Sequence, residues 1–401
     1  MLRAETIICL SSSPWKTTLP TATHFLMREL AQQNHVLFVE RAAAWRELRW
    51  MPRLRLYSYP EKEFGLRVLT PPPVFSLEAL PSGIPLDILL AINGAVLRAC
   101  IKRALAQISG RLPILWVGCD LFGGAALAGT LEKRLAVYHC SGDLGMCTTL
   151  PRHANYLERR LAANTQVIFA NSPALACSKI ALGPEVEYLP DGIDYLHFAA
   201  ALSPKLVPPD AIAYLPRPII GYLGNLAEQV DYLLLEAVAC AFADGTLLII
   251  GAAAGHFRER VRILELFPNV RYLGPIADDQ VPAYLKGFDV ALLPFRRGPV
   301  SDQFILLKAN ECLATGRPVV VAGYTDLASL SYPVRCANDP NSFMTAIRQA
   351  LCDKRSDSAL AFSRFAEINS WQRRAQRVQE VIGTMLTVFL LFGVRMLSAS
   401  C

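Results

Sequence analysis

Lys308 and Glu311 are the residues in this sequence whose types and spacing most directly suggest chemistry. They lie three positions apart, which places both on one face of a helix if the segment is helical. Arg296 and Arg297 precede that segment. A helix N-terminus with basic residues nearby is a favourable seat for a diphosphate, and a carboxylate further along the helix can accept hydrogen bonds from ribose hydroxyls. The segment therefore predicts a nucleotide site, with a solvated Lys–Glu pair as the alternative.

A helix between two buried strands must hold this pair. We expect a strand at Val290–Pro294, a helix from near Asp302 that includes 308–315 and ends at Gly316, and a stop at Pro318. Other short apolar runs also suit parallel strands buried on both faces. They are Thr6–Leu10, Val36–Glu40, Ile114–Val117, Ala136–Tyr138, Val167–Ala170, Ile219–Leu223, Thr246–Ile250, Val270–Leu273 and Pro318–Ala322. Helices are predicted at Ala22–Gln33, Asp87–Gln107, Tyr232–Ala243 and Val281–Lys286.

The alternation of strands and helices predicts an α/β protein with two Rossmann-like lobes facing a central cleft. The 401 residues suit two cores, and residues 199–218 contain five prolines, which favours a linker. The predicted organisation is a first lobe at 1–200, a linker at 201–218, a second lobe at 219–370, and a terminal helix with an apolar tail at 371–401. Ligands of such sheets bind at the carboxyl ends of the strands.

Composition and missing motifs exclude several classes. The chain is 53% hydrophobic and 18% charged, so general disorder is excluded, and a net charge of +6 does not point to nucleic acid. The eleven cysteines include no CxxC pair, which argues against a disulfide framework or a zinc site and favours a reducing cytosol. The N-terminal apolar run, Ile7–Leu10, is too short for a signal peptide. GxGxxG, GxxxxGK[ST], HExxH and GxSxG are absent, which disfavours the enzymes that use them.

Residues 41–67 mix basic and aromatic side chains. Seven basic and three acidic residues give this segment a charge of +4, with Trp45 and Trp50 among them. This mixture suits the headgroup region of an anionic membrane, and a solvated surface or a single-stranded nucleic acid are the alternatives. A second apolar run, 381–394, has fourteen residues and is shorter than the ~20 that a spanning helix needs. We expect it to be a packed terminal helix.

An ordered set of short motifs resembles the GT-B glycosyltransferases, most closely the bacterial exopolysaccharide and teichuronic-acid type within the group 1 glycosyl transferases. The helix motif is Lys308-x-x-Glu311-x-Leu313-Ala314-x-Gly316-x-Pro318. The other motifs, in order, are Ala170–Leu175, Tyr188–Asp194, Gly221–Leu226, Leu247–Gly251, Asn269–Ile276 and Asp289–Phe295. The likeness spans most of residues 5–375 and is strongest from 219 to 321.

The resemblance implies a glycosyltransferase that moves a hexose-type sugar from a nucleoside diphosphate sugar to a saccharide or lipid-linked acceptor in cell-surface polysaccharide biosynthesis. It implies no metal and no cofactor, and a location in the cytoplasm at the inner membrane face, with residues 41–67 as the membrane contact. The donor residues that it implies are Gly224, Asn225, Tyr272, Gly274, Arg296, Arg297, Lys308 and Glu311. The acceptor lobe would supply Asp143 as general base with His139 as its rival, and Trp15, Lys16 and His24 from the opening loop and the following helix.

Two departures from the family pattern keep other functions open. Gln303 stands where many relatives have a second glutamate, and no Lys or Arg occurs between Ile219 and Phe257, where many relatives have a phosphate-binding cation. A sugar-nucleotide epimerase and a scaffold that has lost turnover are therefore the alternatives.

Overall fold

The computed structural model describes residues 2–17, 20–45, 55–58, 65–78, 80–81, 83–108, 112–142, 151–296, 298–323, 332–337, 339–352 and 356–392. The chain forms two compact units. Unit 1 comprises residues 1–191 and 374–401, and unit 2 comprises residues 192–373. Each unit is an α/β domain built on a largely or wholly parallel sheet, in agreement with the predicted fold class.

Unit 1 contains a sheet of eight strands among its described residues, in the order β3-β4-β2-β1-β5-β6-β7-β8. The strands are β1 Thr6–Ser11, β2 His35–Val39, β3 Arg55–Ser58, β4 Leu66–Thr70, β5 Ile114–Gly118, β6 Leu135–Cys140, β7 Val167–Ala170 and β8 Glu185–Tyr188. The helices are α1 Ala22–Ala31, α2 Ile84–Leu105, α3 Leu121–Leu127, α4 Ala154–Ala162 and α5 Pro173–Lys179. All neighbouring strands are parallel except β3, which pairs antiparallel with β4. Central strands β1, β5 and β6 are fully buried, as their apolar runs predict.

Unit 2 contains a parallel sheet in the order β11-β10-β9-β12-β13-β14. Its strands are β9 Ile219–Leu223, β10 Thr246–Ile250, β11 Val270–Gly274, β12 Val290–Pro294, β13 Val319–Ala322 and β14 Arg335–Cys336. Its helices are α6 Tyr195–Ala199, α7 Asp210–Ala213, α8 Tyr232–Ala241, α9 Phe257–Leu264, α10 Val281–Gly287, α11 Pro299–Ala314, α12 Pro340–Cys352 and α13 Ser356–Ile368. The order reverses beside β9, where ligands of doubly wound sheets bind.

The unit boundaries differ from the predicted domain limits. The division falls after Asp191 rather than after residue 200, and the proline-rich stretch 199–218 lies within unit 2, where it includes the short helix α7. The last helix, α14 Trp371–Phe392, begins in unit 2 and continues in unit 1 from Arg374. The two ends of unit 2 pair with each other, since Ile193 N donates to Asn369 O at 3.0 Å and Trp371 N donates to Ile193 O at 3.1 Å.

An ion pair between the half-exposed Arg217 and the buried Asp289 anchors the amino edge of the unit 2 sheet. Asp289 is 3% exposed and accepts two hydrogen bonds of 2.8 Å from Arg217 Nη1. Its Oδ2 also accepts from Ile219 N at 2.8 Å, which ties the start of β9 to the start of β12. The opposite, carboxyl edge is thus free of this structural charge and is where the predicted donor residues lie.

Candidate active site

The carboxyl edge of unit 2 is closed by glycine loops packed backbone to backbone. Gly224 N donates to Ile250 O at 2.9 Å, and Gly251 N donates to Gly274 O at 2.9 Å. Gly251 has φ +145°, and a Cβ there would overlap the Gly224 carbonyl oxygen. Tyr272 Oη donates to Gly251 O at 3.0 Å. The structure thus brings Gly224, Tyr272 and Gly274 together at one edge.

Asn225 lies in the same group of loops. Its carbonyl oxygen accepts a hydrogen bond of 2.9 Å from Tyr222 Oη, and Tyr222 is fully buried in β9. This bond fixes the backbone of the loop from inside the sheet. The amide groups of the loop are therefore held in place for close approach of a phosphate or ribose.

Arg296 follows β12 and is exposed beside the same loop. Its backbone N donates to Gln229 O at 2.8 Å, and Asp231 N donates to Pro294 O at 2.7 Å. These bonds join the end of β12 to the residues that start α8. Arg297, the other predicted arginine, lies outside the described residues, and so does the side chain of Gln303.

Lys308 and Glu311 meet on the helix where they were predicted to lie. Lys308 Nζ and Glu311 Oε2 are 2.6 Å apart, and their side chains are 22% and 13% exposed. The Lys308 ammonium also sits 5.7 Å from the centre of the Phe304 ring. Ring contacts continue from Phe304 to Phe295 and from Phe295 to Tyr222, with centroids 5.6 and 6.3 Å apart. The aromatic chain connects this helix to the β9 end, while the Glu311 carboxylate holds the Lys308 ammonium in place.

Tyr232 and Arg260 belong to this edge and were missed by the sequence analysis. Tyr232, the first residue of α8, is 4% exposed, and its hydroxyl has no hydrogen-bond partner among the described residues. Its ring stacks on Phe257 of α9 at 6.2 Å. Burial raises the pKa of Tyr232 to about 12, while the charges of Arg260 and Arg296 act in the opposite direction. Two arginines therefore lie within electrostatic reach of one buried hydroxyl.

Arg260 can supply the cation that the β9 loop lacks. It is exposed on α9, the helix that follows β10, and it lies three residues beyond the basic-free interval that ends at Phe257. The basic run Arg258, Arg260 and Arg262 is visible in the sequence, but its relation to Tyr232 depends on the packing of α9 against α8. Tertiary packing, not spacing, identifies this residue.

The opening loop of unit 1 is held in place by side chains of the same unit. Trp15 is 9% exposed, its N donates to Glu40 Oε1 at 2.9 Å, and its ring meets Phe38 edge-on at 4.9 Å. Glu40 Oε2 also accepts from Thr70 Oγ1 at 2.6 Å, so this carboxylate joins the ends of three strands. Lys16 is exposed next to the buried tryptophan. The sequence analysis missed Glu40, the last residue of its predicted second strand.

His24 is a structural residue in this arrangement. It is 3% exposed, its Nδ1 accepts from Thr21 N at 3.1 Å, and its Nε2 lies 2.9 Å from Pro14 O. A neutral ring protonated on Nε2 satisfies both contacts, and burial lowers its pKa. His24 therefore fixes the loop to α1, which differs from the substrate-facing position predicted for it.

His139 also lies in the interior. It is the fifth residue of β6, is 1% exposed, and meets Trp116 edge-on at 5.4 Å. Burial lowers its pKa to about 4, so the ring is neutral at physiological pH. The prediction placed this side chain at a strand end facing substrate, whereas in the structure it packs in the sheet. Asp143, the preferred base, lies outside the described residues.

Asp120 is a carboxyl group that the sequence analysis missed. It follows β5, and its Oδ1 accepts from Gly123 N at 3.0 Å, capping α3. A pocket at this carboxyl edge is lined by Asp120 together with Arg41, Phe75 and Phe122. Burial raises the pKa of Asp120 to about 6, against the opposing effects of the Gly123 bond and the Arg41 charge. A carboxylate with this pKa can take a proton from a hydroxyl near neutral pH.

No group of three or more His, Cys, Asp or Glu side chains that could hold a metal ion occurs in the part of the chain that the structure describes. Cys119, Cys140 and Cys312 are free thiols there.

Comparison with models of protein families gives a match within unit 2. Residues 217–353 match the family model described as Glycosyl transferases group 1. TuaH of Bacillus subtilis (strain 168), provisionally named a teichuronic acid biosynthesis glycosyltransferase, is 28% identical over 249 residues. That alignment covers 57% of this chain and 60% of the relative. The chain thus aligns with less than two thirds of that protein.

Solved structures match nearly the whole chain. Sucrose-phosphate synthase from Thermosynechococcus elongatus has a TM-score of 0.58 at 18% identity, covering 96% of this chain and 100% of that one. An alpha,alpha-trehalose-phosphate synthase (UDP-forming) from Burkholderia vietnamiensis has a TM-score of 0.60 at 11% identity, covering 96% and 100%. HepE of Anabaena, in complex with UDP, has a TM-score of 0.56 at 15% identity, covering 95% and 100%. These matches confirm the predicted two-domain fold, GT-B.

Proposed function

Because residues 217–353 match the family model of the group 1 glycosyl transferases and the chain has the GT-B fold, we propose that this protein is a glycosyltransferase. It transfers a hexose-type sugar from a nucleoside diphosphate sugar to a saccharide or lipid-linked acceptor of a cell-surface polysaccharide. The observation that carries the proposal is the carboxyl edge of unit 2, where glycine loops, Lys308, Glu311 and Arg296 surround the strand ends.

Unit 2 binds the donor in this proposal. Arg296, Arg260 and Lys308 provide positive charge for the diphosphate, and stabilising this leaving group is the main task of the transfer. Glu311 accepts hydrogen bonds from the ribose, and its 2.6 Å contact with Lys308 orients the carboxylate for that role. The Gly224–Asn225 and Tyr272–Gly274 loops approach the nucleotide through their backbones. UDP in the HepE complex supports testing uridine nucleotides first.

Unit 1 binds the acceptor. In an inverting reaction a carboxylate removes the proton of the acceptor hydroxyl as the oxygen attacks the anomeric carbon, and the nucleoside diphosphate leaves with the electrons of the broken bond. Asp143 is the base predicted from the sequence, and Asp120 is a second candidate, since it lines the pocket at the carboxyl edge of unit 1 and burial raises its pKa to about 6. Trp15, His24 and Glu40 then position the loop rather than react.

The proposed reaction uses no metal and no cofactor, and the nucleoside diphosphate sugar is its donor substrate. The protein acts in the cytoplasm at the inner membrane face, and residues 41–67, which lie mostly outside the described residues, contribute a basic contact. No nucleic acid takes part. The TuaH relative supports an acceptor in cell-wall or surface polymer synthesis.

Nucleotide release separates transfer from the two alternatives. The full chain is titrated with UDP- and GDP-sugars, and free nucleotide and sugar products are followed with and without a membrane extract containing lipid-linked saccharides. Release that depends on acceptor supports transfer. An epimerised sugar nucleotide would instead identify an epimerase, and the absence of nucleotide binding would identify a scaffold.

A further inference from the structure

The outer face of α2 is an unusual exposed apolar stripe. Ile84, Ile88, Ile92 and Val96 follow one another at four-residue intervals and are 75%, 58%, 44% and 38% exposed. This spacing aligns them on one side of a helix. Ala91, Ala95 and Ala99, also exposed, fill the same side. Contiguous apolar surface of this kind marks an interaction site rather than scattered surface residues.

The opposite face of α2 is packed in the unit 1 core. Its buried residues are Leu86, Leu90, Asn93, Gly94, Leu97, Ile101 and Ala104. Gly94 lets α3 come close, since a Cβ at this position would lie 3.0 Å from Ala126 O. Among the described residues, α2 is a helix whose length and mean hydropathy of 1.8 would allow membrane crossing. Because one face is committed to the core, the helix can present only its outer face to a partner.

Two exposed aromatic side chains lie near α2. Phe75 is 51% exposed, and its backbone N and O both hydrogen-bond the Asn93 side chain of α2, at 3.0 and 2.9 Å. Trp45 is 43% exposed, and its N donates to Val74 O at 3.0 Å. Asn93, on the core-facing side of α2, therefore fixes the Phe75 backbone to this helix, and Trp45 is connected to the neighbouring residue Val74. Phe75 also lines the pocket that contains Asp120, so the apolar surface adjoins the proposed acceptor side.

The charges on α2 are arranged asymmetrically. Its acidic residue, Asp87, is paired with Arg160 Nη1 at 2.9 Å and Tyr156 Oη at 2.5 Å, which neutralises the first turn. The last turns carry Lys102 and Arg103, both exposed and in line with the stripe. Lys102 lies 3.7 Å from the exposed Glu132, a surface pair that contributes little. The surface thus combines apolar side chains, a tryptophan and exposed basic side chains.

We propose that the outer face of α2, with Phe75 and Trp45, docks this protein on an anionic lipid surface. The isoleucines enter the boundary between headgroups and acyl chains, the aromatic rings lie at headgroup level, and Lys102 and Arg103 meet anionic headgroups. A second copy of this chain would offer apolar area but no excess negative charge for the basic end. The inference rests on the proposed function only in that a lipid-linked acceptor would then meet unit 1 at the surface where it docks.

Vesicle flotation of the full chain tests the proposal. Phosphatidylcholine vesicles with and without phosphatidylglycerol are compared for the parent, Ile88→Glu/Ile92→Glu and the control Ile263→Glu. Ile263 is 44% exposed on α9, equal to Ile92, so the control adds one negative charge, against two in the double variant, at an equally exposed helical isoleucine in unit 2. The partition coefficient should fall about tenfold for each substituted isoleucine of α2 and stay unchanged in the control. Lys102→Gln/Arg103→Gln should reduce binding to anionic vesicles and its salt sensitivity.

Melting curves and UDP titration distinguish a loss of docking from a loss of folding or of nucleotide binding. Circular dichroism melts should match the parent, since Ile88 and Ile92 face outward, and UDP titration in solution should be unchanged in every variant. Vesicle binding that survives in the double glutamate variant overturns the docking surface, whatever the UDP result. A parent dimer that becomes a monomer in this variant, with vesicle binding intact, identifies a second copy as the occupant and also overturns it. If the parent does not bind UDP, the proposed function is contradicted, and the docking surface is not affected.

Discussion

The loops at the carboxyl edges of the two sheets are held together in different ways in the two units. In unit 2 the loops are joined through backbone atoms, with Gly251 N on Gly274 O and Gly224 N on Ile250 O. In unit 1 they are joined through side chains, as Glu40 binds Trp15 N and the Thr70 hydroxyl. A backbone-closed edge leaves charged side chains available for a ligand, whereas a side-chain-closed edge uses its polar groups internally. Polar residues at strand ends therefore indicate a ligand site more strongly in unit 2.

The largest effect should come from the carboxylates of unit 1. Asp120→Asn and Asp143→Asn each remove one candidate base with little change in shape, and the true base should lose about 10²- to 10⁴-fold in kcat. Donor affinity should stay close to that of the parent because the proposed donor site lies in unit 2. Steady-state kinetics of both variants with a fixed donor measures this. If neither variant slows turnover, an inverting mechanism through these residues is wrong.

A change at Gly251 tests the backbone-closed edge directly. Gly251→Ala places a Cβ on the Gly224 carbonyl oxygen and forces alanine to φ +145°, so the free energy of unfolding should fall by about 3 kcal/mol. Gly255→Ala is the matched control, since Gly255 has φ +56° but open space around its Cβ position. Chemical denaturation of both variants gives the comparison. Equal losses would mean that strain, not the contact between loops, decides the outcome.

The buried histidine of unit 1 predicts a dependence of stability on pH. The pKa of His139 is lowered in the folded state to about 4, so its contribution to stability is complete above its ordinary value of 6.5 and is lost as pH falls towards 4. From about pH 7 to about pH 5 the loss should be about 2 kcal/mol. His139→Phe keeps a ring beside Trp116 and should flatten this part of the profile. The lowered pKa of His24 adds a loss in the same direction, which remains in the variant.

The smallest effect should come from the edge of the nucleotide site. Arg260→Gln removes one of the two arginines near the Tyr232 hydroxyl and should weaken UDP binding about tenfold, with a shallower salt dependence. Arg258→Gln, two positions earlier and also exposed, is the control for net charge. Calorimetric titration with UDP measures both. Equal weakening in the two variants would assign the effect to overall charge rather than to a specific contact.

Much of the fold follows from local sequence. Strands β9, β10 and β12 have their predicted limits because each is a continuous apolar run ended by a turn or proline. Strands β3 and β4 were not predicted. The edge strand β8 was missed because the Glu185–Tyr188 run has no apolar signature. Helix α2 begins at Ile84 rather than Asp87 because Pro85 suits a first helical turn.

The candidate site was less accessible to sequence reasoning. The Lys308–Glu311 pair could be predicted because both partners lie on one helix, so helical periodicity alone sets their distance. His139 and His24 could not be distinguished from ligand-facing residues, because burial depends on which strands and loops cover them. Asp120 and Arg260 owe their environments to Arg41 and to Tyr232, which are far away in the chain. Contacts of this kind are set by tertiary packing.

The pairing of Ile193 with Asn369 and Trp371 makes unit 2 a closed insert in the chain. Because the chain enters and leaves unit 2 at neighbouring backbone positions, unit 1 needs no long connection to accommodate it. Ribosomal synthesis completes the eight described strands of the unit 1 sheet before unit 2 emerges, yet helix α14 follows only afterwards. Unit 1 therefore stays incomplete until unit 2 has been synthesised. Until then the edge strand β8 lacks its contact with α14, in which Arg377 Nη2 donates to Glu187 Oε2 at 3.0 Å.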